Sequence, residues 1–243
     1  MRQKEAALGS GMRLRRGGSV VRRVADLSES TQPARTGVRG MTVIMAGLIL
    51  VVLGFVVSRL ITDIPNIATG TVPEDQRDVA YAAHPWLAYL HIVPGVVYLL
   101  GAPLQLWYGF RHRHYAAHRR IGRFVLACGA VSGVFAIGFG ARYPFGGAGE
   151  ASAALVFGSW FLLCLLLAFI AIRRGKVRRH RRWMIRAYAI GIGVGTIRLW
   201  VAVLSTSGLM EFQASFGVAF WLALGMHAVA AEWWLRTRPG PPG

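Results

Sequence analysis

The sequence has few charged residues, very few acids and only two cysteines. Charged residues make up 16% of the 243 residues, against roughly 25% in an ordinary soluble domain, which disfavours a water-soluble core-and-shell protein. Only 10 residues are Asp or Glu, compared with 28 Lys or Arg. Cys128 and Cys164 form no CxxC motif and no disulfide framework, so we interpret both as small apolar side chains in packed helices.

Long apolar segments dominate what is present. Apolar residues make up 54% of a chain whose formal charge is +18, and DNA-binding proteins of such charge are not usually so apolar. A spanning helix needs about 20 mostly apolar residues, and six segments meet that length: 43–64, 85–110, 121–140, 153–172, 184–204 and 214–235. The sequence therefore predicts an all-α, polytopic membrane protein with six transmembrane helices.

The basic residues predict the orientation of these spans. Six spans place both termini and the connectors RHRHYAAHRR (111–120) and RRGKVRRHRR (173–182) on one side, which then holds all but four of the 28 basic residues. The positive-inside rule assigns that side to the cytoplasm. The charge then requires no nucleic-acid partner, and it suits the anionic lipids of an inner leaflet.

The two ends of the chain differ from the spans. Residues 1–40 are basic and aperiodic, so we expect a disordered tail, or a start placed too early, with Met12 or Met41 as the true first residue. Residues 41–238 form the transmembrane domain, and 239–243 are a short tail.

The connector 63–84 is the one long loop on the side opposite the basic residues. Pro65, Gly70 and Pro73 are expected to break helices there. Its acids, which include Asp75 and Asp78, are interpreted as a solvated acidic loop.

Ionisable side chains inside spans are costly and are the first functional candidates. His91 and Arg198 each lie about 9 Å below the outer end of a span, at the same level. The partner of Arg198 is left open between carbonyls near Pro94, the acids Glu150 and Glu211, an anionic ligand or cofactor propionate, and snorkelling to headgroups.

A second group of candidates lies toward the inner side. Glu232 is the only acid on the inner side of a span, and Arg123 and Arg186 are its natural partners, either in a site or in a structural ion pair. His227 is either a ligand-binding residue or a histidine satisfied by a neighbouring hydroxyl or carbonyl.

The second span carries two prolines and a polar side chain. Pro94 and Pro103 each remove a backbone donor, and Gln105 closes the segment Gly101-Ala-Pro-Leu-Gln105. We expect either a twice-broken helix that forms the wall of a cavity or a merely bent helix.

An ordered string of residues carries a family resemblance. It comprises His91-x3-Gly95, Gly101-Ala-Pro-Leu-Gln105, His118-Arg-x2-Gly122-Arg123, His180-Arg-Arg-Trp-Met-x-Arg186-x-Tyr188-Ala and Thr196-x-Arg198-Leu-Trp200. The string resembles the bacterial predicted membrane proteins called domain of unknown function 2306, over roughly 43–236. The resemblance implies a multi-helix fold in the bacterial cytoplasmic membrane and no settled activity. The residues it marks as important are His91, His118, His180, Arg123, Arg186 and Arg198.

The His-Arg-x2-Gly-Arg corner is also faintly similar to the dihaem cytochrome b561 families, which use four histidines on four helices. The predicted fourth span contains no histidine, so a strict four-histidine scheme fails. One b-type haem between His118 and His180, or one at His91, stays open.

Three functions remain for this chain. The first is a cofactor-binding redox protein using haem b or a quinone, with His91, His118, His180 and His227 as candidates. The second is a small-solute transporter using Arg198, and the third a ligand-binding or accessory bundle that holds lipid or a membrane protein partner. The ligand-binding candidates are Arg198, Gln105, Arg123, Arg186 and Glu232. No hydrolytic motif appears, so we predict no catalytic or metal-binding residues and expect a protein that is not an enzyme.

Overall fold

The computed structural model describes residues 35–107 and 113–237, with side chains from residue 40 onward. These ranges contain seven α-helices and no strand: α1 Arg35–Thr69, α2 Gln76–Ala83, α3 Pro85–Leu106, α4 Tyr115–Arg142, α5 Gly147–Arg173, α6 Val177–Thr206 and α7 Phe212–Thr237. All but the short α2 are long and apolar enough to cross a membrane. The predicted all-α class and the six spans are confirmed.

Several helices extend beyond the predicted spans into the basic corners. α4 begins at Tyr115 and α6 at Val177, six and seven residues before the predicted starts, because arginines favour the helix once it is nucleated. α1 begins at Arg35, inside the segment expected to be a tail. The rest of that expectation, and the short tail at 239–243, lie outside the described residues.

The expected helix break was wrong for Pro65, and the second span is the unbroken one of the two alternatives that the sequence left open. α1 runs through Pro65 and ends at Thr69, where Gly70 takes a left-handed φ of 67°. α3 is continuous through Pro94 and Pro103. Each proline costs one helical hydrogen bond, whereas a break within hydrocarbon would leave several backbone groups without partners, so the continuous helix is the cheaper arrangement.

The core of the bundle forms around α6. This helix packs against α3, α5 and α7, and it buries a row of side chains that includes Ile190, Ile197 and Val201. α1 is different, because large apolar side chains such as Leu50 and Ile61 are exposed on it. That surface is suited to lipid, which solvates apolar side chains as well as a protein core does.

Alternating helix directions give the bundle two chemically different ends. One end carries α2 and the connections 143–146 and 207–211, and we call it the α2 end. The other carries the arginine-rich starts of α4 and α6, and we call it the basic end. At the α2 end, α5 and α7 touch through Gly149 and Gly217, where an added Cβ on either would meet backbone of the other at 3.2 Å. A side chain at either position would require the backbones to move apart by a few tenths of an ångström, so glycine favours this close approach.

Candidate ligand-binding cavity

A cavity of about 930 Å³ opens at the α2 end and extends into the bundle. Its walls come from α1, α2, α3, α4, α5, α6 and α7, and most of its lining is apolar or aromatic. On α3 the lining runs from His84 to Leu99, which at about 1.5 Å per residue is a depth of roughly 20 Å. The cavity therefore reaches past the middle of a hydrocarbon core about 30 Å thick.

Arg198 on α6 is one of three arginines in the cavity wall, with Arg59 and Arg77. Its guanidinium carbon lies 3.6 Å from the centre of the Phe55 ring, and its buried Nε donates to no described residue. Among the ion pairs of the described residues, none includes Arg198. Arg198 therefore does not extend to the lipid headgroups. Its side chain lines the cavity and packs on an aromatic face.

Glu150 lines the same cavity without pairing with Arg198. Its carboxylate accepts a hydrogen bond of 2.6 Å from the Gly146 amide, which holds it at the start of α5. The sequence proposed Glu150 and Glu211 as partners for Arg198. Neither forms an ion pair within the described part of the chain, and Glu211 is exposed.

His91 is held in one tautomer by Ser132 on α4. The imidazole Nδ1 lies 3.1 Å from both the carbonyl oxygen and the hydroxyl oxygen of Ser132. The Ser132 hydroxyl itself donates to the His91 carbonyl at 2.8 Å. Because a carbonyl can only accept, Nδ1 carries the proton, and the neutral ring has its lone pair on Nε2. His91 lines the cavity, and in its neutral form it can accept a hydrogen bond at Nε2.

A buried ionic network joins α1 to α2 beside the cavity. Arg59 donates to the carboxylates of Asp63, at 2.6 Å, and of Asp78. The Tyr89 hydroxyl on α3 donates to Asp63 at 2.9 Å. Asp63 is 0% exposed and Asp78 is 8% exposed, so the prediction of a solvated acidic loop was wrong for these two residues. Each carboxylate is buried with a hydrogen-bonded cation, which is how proteins tolerate buried charge.

Sequence reasoning missed this network, although a signal was present. Arg59 and Asp63 are four residues apart and lie on one helix face. The predicted first span, 43–64, already contained both residues, but Asp63 was counted with the connector 63–84. The arginine and the carboxylate were therefore not recognised as a pair inside a span.

α2 covers part of the cavity mouth and is fixed by its charges. Asp75 caps its first turn by accepting from the Arg77 amide at 2.9 Å, and hydrogen bonds from Arg77 hold the pKa of Asp75 below its usual value. The Tyr81 ring lies 3.8 Å from the Arg59 guanidinium carbon and 4.7 Å from the Phe139 ring. Burial raises the pKa of Tyr81, so its hydroxyl stays protonated and lines the cavity as a neutral group.

Glu232, the acid on the inner side of the spans, forms the ion pair with Arg186 that the sequence proposed. Arg186 on α6 donates to both oxygens of Glu232 on α7, the longer contact being 3.0 Å. Arg123, the other proposed partner, donates instead to the Arg119 carbonyl at 3.2 Å. The ion pair lies at the basic end, away from the cavity, and its two hydrogen bonds join neighbouring helices.

The remaining histidine candidates and Gln105 lie outside the cavity. His180 has its Nδ1 2.9 Å from the Ala168 carbonyl, and His227 has its Nε2 2.8 Å from the Thr196 hydroxyl. His118 is in the first turn of α4, and Gln105 packs toward Gly122. Among the described residues, no group of three or more His, Cys, Asp or Glu side chains could hold a metal ion.

Comparison with known proteins identifies one matching family. A model of the family described as "Predicted membrane protein (DUF2306)" matches residues 88–235. No curated protein and no solved structure matches the chain significantly. The family model covers more than half of the chain, including His91, Ser132, Glu150 and Arg198. The chain therefore belongs to the DUF2306 family of predicted membrane proteins.

Proposed function

We propose that this protein binds a singly charged, anionic, largely apolar small molecule in the cavity at the α2 end. The observation that carries this proposal is Arg198, a half-buried cation that lines the cavity without a carboxylate partner among the described residues. Two other arginines within spans, the buried Arg59 and the half-buried Arg186, each bind carboxylates. A cation at this depth is expensive without a counter-charge, and a bound anion supplies one.

The shape and lining of the cavity narrow the class of ligand. Its volume of about 930 Å³ lies near the upper end of the range for drug-sized ligands, about 300–1,000 Å³, and its apolar walls favour a hydrophobic body. One guanidinium suits one carboxylate or sulfonate, which it can bind with two parallel hydrogen bonds. The Glu150 carboxylate lines the same cavity, and its negative charge would repel a multiply charged phosphate. Nε2 of His91 can accept a hydrogen bond from a ligand hydroxyl.

Binding of a carboxylate amphiphile tests the proposal. The protein in nanodiscs of neutral lipid is titrated with a fluorescent undecanoate and with its uncharged amide. We expect the carboxylate to bind more tightly than the amide, and Arg198→Gln to weaken carboxylate binding at least about tenfold, the cost of one charge-assisted contact. Arg198→Lys keeps the charge but loses the planar fork, so an intermediate affinity is expected.

Arg142→Gln is the matched control, because Arg142 is an exposed arginine at the same end and does not line the cavity. Its carboxylate affinity is expected within about twofold of the wild type, since exposed charges contribute little. Equal affinities for Arg198→Gln and the wild type, in protein that stays monodisperse, would overturn the proposal.

A b-type haem is the second candidate ligand, and His91 is the observation that favours it. A histidine whose Nδ1–H is held by a carbonyl presents a basic Nε2, the usual arrangement of a histidine that binds a metal. Absorption spectra of protein from haem-supplied cells, oxidised and then reduced with dithionite, test this candidate. A Soret band that is lost in His91→Ala would support it, and a spectrum without one excludes it.

The proposal also includes the orientation of the bundle in the membrane. We place the basic end in the cytoplasm of a bacterial inner membrane, with both termini inside, because arginines concentrate at that end. The cavity then opens to the outer face. The exposed arginines of the basic end lie at the level of anionic headgroups, which attract them.

A further inference from the structure

Three side chains, at the cavity floor and toward the basic end, have buried polar atoms without partners among the described residues. The hydroxyls of Tyr98 and Tyr188, and both amide atoms of Gln105, make no hydrogen bond to any described residue. Tyr98 is 2% exposed and Tyr188 is 5% exposed. Tyr98 lines the deep end of the cavity, whereas Tyr188 and Gln105 are outside its lining.

The three side chains lie on α3 and α6. Tyr98 forms part of the cavity floor, about 20 Å from the α2 end, and Gln105 is seven residues further along α3, about 10 Å deeper. Tyr188 on α6 has its ring centre 6.5 Å from that of Tyr98. Seven residues are close to two helical turns, so Tyr98 and Gln105 share one face of α3.

The same face of α3 packs on glycines of α4. An added Cβ at Gly129 would meet the Tyr98 ring at 2.6 Å, and one at Gly122 would meet the Gln105 amide at 3.0 Å. These glycines leave room for the two polar side chains inside the bundle. The row is therefore enclosed by protein, which is the setting in which polar groups occur at membrane depth.

Four orphaned polar atoms in one row indicate water. A buried donor or acceptor without a partner is unfavourable, and native proteins satisfy more than about 90% of such groups, with ordered water where protein cannot reach. The tyrosine hydroxyls and the amide together offer donors and acceptors that a short chain of water molecules would bridge.

We infer that the cavity and this row, called here the hydrated row (Tyr98, Tyr188 and Gln105), are two halves of a transport route across the membrane. The structure is the state open at the α2 end, with the Tyr98 ring as the barrier. That ring packs edge-on against Phe161, with ring centres 5.3 Å apart, and it closes the cavity floor. The cargo is the anion of the proposed function, and this assignment rests on that proposal, whereas the hydrated row itself does not.

Thiol accessibility in membranes tests the route without any ligand. In a background with Cys128→Ala and Cys164→Ala, single cysteines are introduced as Gln105→Cys, Tyr188→Cys and, as control, Leu100→Cys. Leu100 lies on α3 at a depth between Tyr98 and Gln105 and is 48% exposed on the outer surface of the bundle. A negatively charged methanethiosulfonate is added to vesicles that present the basic end, because such a reagent needs water and a thiolate.

We expect Gln105→Cys and Tyr188→Cys to react at least about tenfold faster than Leu100→Cys, because only the first two face water. Rates for both that equal the Leu100→Cys rate, in variants with wild-type gel-filtration profiles, would overturn the route. Failure of carboxylate binding at Arg198 would leave these rates unchanged, so the two proposals can fail separately.

Efflux from proteoliposomes tests whether the Tyr98 ring is the barrier. Tyr98→Ala removes the ring and is expected to increase efflux of trapped undecanoate at least about threefold over Tyr98→Phe, which keeps the ring and loses only the hydroxyl. Equal efflux from the two variants would exclude Tyr98 as the barrier.

Discussion

Single residues show both the strength and the limit of sequence reasoning for this chain. Arg198, His91 and the pair of Arg186 with Glu232 were identifiable because an ionisable group stands out within an apolar span. What a sequence cannot give is the direction of each side chain, since that depends on packing between helices. Arg198 faces a cavity rather than headgroups, and Arg123 bonds a carbonyl rather than Glu232.

The Arg59 network is the residue-scale feature with the largest expected effect on stability. Arg59→Ala leaves Asp63 and Asp78 buried without a cation, which costs about 3–5 kcal/mol in comparable sites. The free energy of unfolding, measured by denaturation in detergent micelles, should fall by about that amount.

Arg77→Ala is the control for this experiment, because its ion pair with Asp75 is largely exposed. Exposed pairs contribute about 0–1 kcal/mol. If the two variants lost the same stability, the buried network would have no special role in holding α1 and α2 together.

At the scale of elements, hydropathy and length identified every spanning helix, since both properties are local. The short α2 was not predicted, because eight residues with a polar composition give no membrane signal. It forms because Asp75 caps its start and because Asp78 and Tyr81 find partners on α1 and α4. Both α1 and α2 lie outside the residues that the family model matches, yet they supply one wall of the cavity.

The stability of α2 should depend on its capping residue, Asp75, and on pH. Asp75→Ala removes the capping carboxylate at a cost of about 0.5–2 kcal/mol, so hydrogen exchange of the α2 amides should accelerate. Because the folded-state pKa of Asp75 is lowered, its contribution is complete above the ordinary Asp pKa of about 3.9 and is lost as pH falls through the lowered value. Protection of α2 should therefore be constant near neutral pH and fade only in strong acid.

Glu74→Ala is the comparison for the cap, since Glu74 is the neighbouring exposed acid. Its exchange rates should match those of the wild type. Equal acceleration in both variants would mean that general loss of negative charge, rather than the cap, controls α2.

For the whole molecule, the distribution of charge predicts a single orientation. A fluorescent protein fused to the C-terminus should fluoresce in a bacterial host, and a periplasmic phosphatase fused at the same point should be inactive, because the proposed orientation places the basic end in the cytoplasm. The opposite pattern would place the cavity on the cytoplasmic side and reverse the direction of the proposed route.

The four-residue spacing of Arg59 and Asp63 also has a consequence for biogenesis. α1 is synthesised before α2 and α3, so its buried charges reach the lipid before Asp78 and Tyr89 exist. A lone charge is unfavourable for membrane insertion of a nascent helix, but a cation and an anion on one helical face neutralise each other locally. The nascent helix thus carries its own counter-ion into the bilayer, and the later segments complete a network that α1 has already begun.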